Sequence, residues 1–119
     1  MKKTALISVQ DKKGLHIICK IFKKYNIEII STGKTFKKIK NLGFSSKKIS
    51  EITNFDEILD GRVKTLHPKI HGGILFDRNN IGHKNLIIKN NIPLINFVII
   101  NLYSFTKTVE EKKSYNECI

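Results

Sequence analysis

Short, apolar, β-branched runs alternate along this chain with stretches whose apolar residues recur at helical spacing, and that alternation limits its possible folds more than any other feature. Residues 4–9 (TALISV), 27–31 (IEIIS) and 95–101 (INFVIIN) are nearly continuous hydrophobic runs, as expected of strands buried on both faces. After the first run, Asp11 offers a helix N-cap. Leu15, Ile18, Cys19 and Phe22 then share one helical face, which Asn26 ends. Residues 35–42 bring Phe36, Ile39 and Leu42 together, with Gly43 at the C-cap. Residues 47–49 read as a short third strand, 54–59 as helix-like, 84–90 as a helix, and 109–118 as a final charged helix. From 60 to 77 the periodicity fails, and Gly61, Pro68, Gly72 and Gly73 predict a long irregular segment that could close over a site. The expectation is one α/β domain over residues 1–119: a doubly wound, mainly parallel sheet flanked by helices.

Such sheets bind ligands beyond the carboxyl ends of their strands. Three polar loops sit there: residues 10–13, 31–35 and 101–103. Hydrophobic residues make up 40%, too many for a disordered tail, and no apolar run approaches the roughly 18 residues of a membrane span. Two cysteines, Cys19 and Cys118, make neither a disulfide framework nor a zinc quartet, which fits a cytoplasmic setting. The net charge of +12 raises a nucleic-acid reading. Yet the basic residues are scattered and almost all lysine, 20 Lys against 2 Arg, whereas base readers favour the planar fork of arginine. Ile (21) and Asn (11) are also abundant, and with Lys they share A/T-rich codons. Solvated lysine faces are therefore the reading taken, with a field that attracts a phosphorylated small molecule.

Ser31-Thr32-Gly33-Lys34-Thr35 joins a strand to a helix. Amides at a helix start, a glycine permitting close approach, and two kinds of hydroxyl make an anion cradle. A nucleoside-triphosphate P-loop would need glycine at position 28, which is Glu28, so a monophosphate cradle or an ordinary strand-to-helix turn remains. Further on, Arg62 and Lys64 stand two apart. If extended, both could address one anionic or carbonyl oxygen. His67 and His71 have the spacing of metal ligands on a helix, but Pro68 and two glycines make a regular helix there doubtful. Hydrogen-bonded structural imidazoles are the alternative. Asn101-Leu102-Tyr103 places an amide and a phenol at a strand end, where they could orient a ligand or cap the core edge.

Four stretches, ALISVQDKKGL (5–15), IISTGKTFKKI (29–39), SEITNFDEILDGRVKTLHPKIHGGIL (50–75) and FVIINLYSF (97–105), together resemble the cyclohydrolase domain of the bifunctional purine-biosynthesis enzyme, which combines AICAR formyltransferase and IMP cyclohydrolase. The resemblance implies a methylglyoxal-synthase-like fold and cyclisation of the formylated aminoimidazole carboxamide ribonucleotide (FAICAR) to IMP with loss of water. It implies no metal or cofactor for that step; formyl-tetrahydrofolate belongs to the family's second domain, which is expected to be absent from residues 1–119. It implies a homodimer. By position, Gln10, Asp11 and Lys12 match a nucleotide-binding loop, and Thr32, Gly33, Lys34 and Thr35 match the phosphate loop. Arg62, Val63, Lys64 and Thr65 match the segment whose lysine faces the formyl group, and Asn101, Leu102 and Tyr103 match the substrate loop. Lys64 is then the expected oxyanion donor and Tyr103 its helper. Gln10 stands for a usual Ser, Lys34 for a usual second Gly, and Ser104 for a usual Pro. The sequence ends before the family's Asp-Ile-Gly-Gly segment, so a truncated domain with much reduced turnover is expected. A nucleotide-binding remnant without turnover and a basic RNA-binding module are the alternatives.

Overall fold

The computed structural model describes residues 2–61 and 63–101. The elements run β1 (Thr4–Ser8), α1 (Leu15–Lys24), β2 (Glu28–Ser31), α2 (Gly33–Asn41), β3 (Lys47–Lys48), α3 (Ile49–Thr53), α4 (Pro68–Leu75), α5 (Ile81–Lys89) and β4 (Ile95–Ile100). The strands form one parallel sheet in the order β3-β2-β1-β4. The chain steps outward from β1 to β2 and β3, then returns through three helices to lay β4 on the other side of β1. The winding therefore reverses between β1 and β4, and a crevice opens beyond their carboxyl ends.

Period-two alternation along the strands builds two cores. Ala5, Ile7, Val9 and Ile29 point to one face and meet Leu15, Cys19 and Phe22 of α1 and Ile39 of α2. Leu6 and Ile30 point to the other face and meet Ile49, Ile70 and Ile95. Helices thus cover both faces, as expected of a doubly wound sheet. Burial pushes the Cys19 thiol above its usual pKa. In β4 the register slips by one residue. Thr4 pairs with Ile95 and Ala5 with Phe97, leaving Asn96 over. The slip sends Ile95 into one core and Ile99 against the other, and brings the Phe97 ring to 5.4 Å from that of Phe22. Among the described residues β4 is an edge of the sheet, and Phe97, Val98 and Ile100 are exposed there.

Several local expectations change, among them the helix expected over 84–90, which starts earlier and runs Ile81–Lys89. Asp11 does not cap α1. Its carboxylate accepts the Lys13 amide in a tight turn, and the helix starts after Gly14, whose φ is 79°. α2 begins at Gly33, two residues earlier than the apolar spacing suggests. The helix expected over 54–59 is instead Ile49–Thr53, closed by Asn54 in the left-handed region with φ 55°. Within the segment read as irregular, residues 68–75 form α4. Pro68 sits in its first turn, where no amide is needed, and the His67 imidazole Nδ1 accepts the Lys69 amide. Gly73 belongs inside that helix because the Pro93 carbonyl oxygen lies 2.3 Å from where a Cβ would stand. The His67 ring is thus a helix cap. The helix expected over 109–118 lies outside the described residues.

Arg78 fastens α4 to β4. Its guanidinium donates to the carbonyls of Ile74 (2.9 Å), Phe76 (3.0 Å), Gly73 (3.3 Å) and Ile95 (2.6 Å), and it stacks 4.1 Å from the Phe76 ring centroid. No described helix is long and apolar enough to cross a membrane.

Candidate functional site

The loop after β1 is held from two sides. Thr35, buried in the first turns of α2, accepts the Val9 amide and donates to the Val9 carbonyl, each at 3.2 Å. Across the crevice, Asn101 Oδ1 accepts the amides of Gln10 (2.6 Å) and Asp11 (3.1 Å), and its Nδ2 donates to the Asp11 carbonyl at 2.8 Å. A single amide side chain at the end of β4 thus ties down the loop after β1 at the point where the winding reverses. Lys12 folds back so that its ammonium donates to the carbonyls of Val9 and Gln10. Ser8 and Thr32 link the ends of β1 and β2 through their hydroxyls, 3.0 Å apart.

Gly33 opens α2, with Thr32 before it in extended conformation. The Thr32 hydroxyl does not cap the helix. The Gly33 amide instead donates to Glu57 Oε1 at 2.9 Å. A Cβ on Gly33 would lie 2.7 Å from that oxygen, so a larger residue here would push the exposed Glu57 carboxylate aside, and glycine lets it approach. Glu57 was not singled out from sequence, because it carries no motif and only tertiary folding brings it to the cradle. The Lys34 side chain is exposed.

The segment carrying Lys64 is returned to the site by a tight turn. Ile58 and Val63 exchange amide-to-carbonyl bonds of 3.2 and 3.3 Å, while Leu59 (φ 55°), Asp60 (φ 57°) and Gly61 (φ 78°) all adopt left-handed backbone. Lys64 is half-buried and packs over Gly61, as does the Glu57 carboxylate. Lys12 is held below the usual lysine pKa first by burial, then by the charges of Lys64 and Lys34, with Asp11 opposing. Three ammonium groups therefore share one neighbourhood at the carboxyl end of the sheet. Thr65 stands at the approach to α4, its carbonyl accepting the His67 amide at 2.8 Å.

The structure brings together Gln10, Asp11, Lys12, Thr32, Gly33, Lys34, Thr35, Val63, Lys64 and Asn101 at one end of the sheet. Arg62, Leu102 and Tyr103 lie outside the described residues. A separate cavity of about 470 Å³ lies at the opposite, amino end of the strands, bordered by Lys2, Lys23, Glu28 and Lys47, and shares no residue with this site. Among the described residues, no group of three or more His, Cys, Asp or Glu is placed to hold a metal ion.

Fold and site together define a doubly wound α/β domain with a cationic crevice where the strand order reverses. The chain belongs to the MGS-like domain family, whose model matches residues 14–119. It is 50% identical over 119 residues to the "Bifunctional purine biosynthesis protein PurH" of Fusobacterium nucleatum, covering 100% of this chain and 24% of that protein. It is also 50% identical over 117 residues to the protein of the same name from Clostridium acetobutylicum, covering 98% of this chain and 23% of that one. The chain thus spans about a quarter of the length of these relatives. Among solved structures, "Crystal structure of ForH" superposes with a TM-score of 0.77 at 25% identity, over 87% of this chain and 54% of that chain.

Proposed function

We propose that this chain binds a purine-type ribonucleotide by its phosphate and carries the IMP cyclohydrolase step, closing FAICAR to IMP. The observation that supports this most is the shared positive field of Lys12, Lys34 and Lys64 at the sheet end that carries the Gly33 amide, in a chain half identical to purine-biosynthesis proteins. The phosphate would rest against the start of α2, where the helix dipole favours negative charge and the Gly33 amide already faces a carboxylate. In the reaction the carboxamide nitrogen attacks the formyl carbon, the formyl oxygen gains negative charge, and water departs after proton transfer. An ammonium is suited to that oxygen, and Lys64 is assigned to it. Asn101 would act by fixing the loop at Gln10 and Asp11, so that the reacting groups meet a rigid wall. Tyr103 and Arg62 join the proposal from the family resemblance alone.

Ring closure of FAICAR, followed optically, tests the assignment. Lys64→Ala should abolish turnover while IMP still raises the melting temperature, because a ligand bound only to the native state stabilises it. Unchanged turnover in Lys64→Ala would refute the role of that lysine. No stabilisation by IMP, with a steeply salt-dependent affinity for RNA, would instead favour a basic RNA-binding module.

A further inference from the structure

In the free protein an anionic group already occupies the cradle, and it comes from the chain itself. The Glu57 carboxylate accepts the Gly33 amide at 2.9 Å, close against the spot where a Cβ on residue 33 would stand. Its second oxygen lies 3.4 Å from where a Cβ on Gly61 would stand, and Lys64 Nζ lies 3.5 Å from the same point. Lys34 follows Gly33 directly, and Lys12 shares the field of both lysines. Glu57 is exposed, so it can swing into solvent without opening the core. A ligand phosphate bound to the Gly33 amide and that carboxylate cannot occupy the same space.

From this geometry we infer that Glu57 sets the specificity of the cradle: its carboxylate holds the Gly33 amide until a dianionic phosphomonoester displaces it. The inference rests on the proposed phosphate site and adds the device that selects its ligand. A monoanion offers the cradle no more charge than Glu57 already does, and it must also give up its freedom in solution, so it is rejected. A phosphomonoester brings a second charge and a third oxygen, and can answer the Gly33 amide and the adjoining Lys34 together. The displaced carboxylate then returns to water. The cost of displacement lowers affinity for every anion but removes the weaker ones from competition.

Titrations of the full chain with IMP, inorganic phosphate and acetate, read at the Gly33 amide by NMR, test this. In Glu57→Gln and Glu57→Ala, phosphate and IMP should bind roughly tenfold more tightly than in the parent. Acetate, silent in the parent, should shift the Gly33 amide in Glu57→Ala. Unchanged or weaker phosphate binding in both variants would overturn the inference. An independent measurement needs no variant: the coupling across the hydrogen bond between the Gly33 nitrogen and the Glu57 carboxyl carbon should be present in the free protein and vanish at saturating IMP. Persistence of that coupling in the saturated protein overturns the inference. If IMP shifts the Gly33 amide in no form of the protein, the phosphate-site reading fails as well; if it binds all forms equally, only the role of Glu57 fails.

Discussion

Replacing Thr35 with valine keeps its shape and removes one oxygen, and that oxygen joins two of the three loops of the site. The hydroxyl both accepts the Val9 amide and donates to the Val9 carbonyl at 3.2 Å, with Thr35 only 2% exposed. The two partners fare differently after the change. The Val9 carbonyl keeps the Lys12 ammonium, whereas the Val9 amide has no other partner among the described residues and belongs to a residue only 9% exposed. An unsatisfied buried amide costs about 1–3 kcal/mol. Thr35→Val should therefore lower stability by about 2 kcal/mol, a fall in Tm of roughly 6–12 °C for a chain this size. Thr35→Ser keeps the oxygen and loses one methyl, so it should cost about 1 kcal/mol or less. Urea denaturation followed by circular dichroism separates the two. A Thr35→Val protein within 0.5 kcal/mol of the parent, roughly the scatter of surface substitutions, would refute the reasoning that this hydroxyl locks the loop after β1 to the start of α2.

The neighbouring glycines of α4 should respond oppositely to alanine. Gly73→Ala drives a methyl to 2.3 Å from the Pro93 carbonyl oxygen and should cost more than about 2 kcal/mol, whereas at Gly72 the nearest atom is 3.4 Å away, so Gly72→Ala should be neutral or stabilise by up to about 1 kcal/mol. Equal melting temperatures for the two variants would show that α4 does not pack as described. Lys12 titrates low because it is buried beside two like charges, so the unfolded chain holds its proton to higher pH, and the penalty on the native state fades as pH rises between the two values. A bound phosphate offsets those like charges and raises the Lys12 pKa. Binding at alkaline pH should then take up protons, seen as a calorimetric heat that changes with the ionisation enthalpy of the buffer. A buffer-independent heat would contradict it.

Much of the fold is legible in the sequence because strands buried on both faces advertise themselves: TALISV, IEIIS and INFVIIN become β1, β2 and β4 nearly to the residue. The slip at Asn96 is not legible, since it is decided by pairing with β1. α4 is hidden because Pro68, Gly72 and Gly73 are breakers by local preference. Here the proline occupies the one turn that needs no amide, and Gly73 answers a carbonyl twenty residues away in sequence. At the site, the cradle, Lys12 and Asn101 are found at the ends of strands, where the topology rule directs attention, while Lys64 lies in the segment expected to close over them. Their roles are less legible. Thr35 and Asn101 look like ligand contacts in sequence, yet their polar atoms are spent on the backbone of the loop after β1. Glu57 and Arg78 escape notice altogether, because an exposed acid and a lone arginine acquire meaning only from carbonyls and amides that folding delivers.

Titration with IMP, followed at the backbone amides of Gln10, Gly33, Lys64 and Asn101, bears most directly on whether the separate strand ends form one binding surface. All four signals should move along a single saturation curve with one midpoint. Shifts confined to one loop, or different midpoints for the four amides, would contradict a shared site.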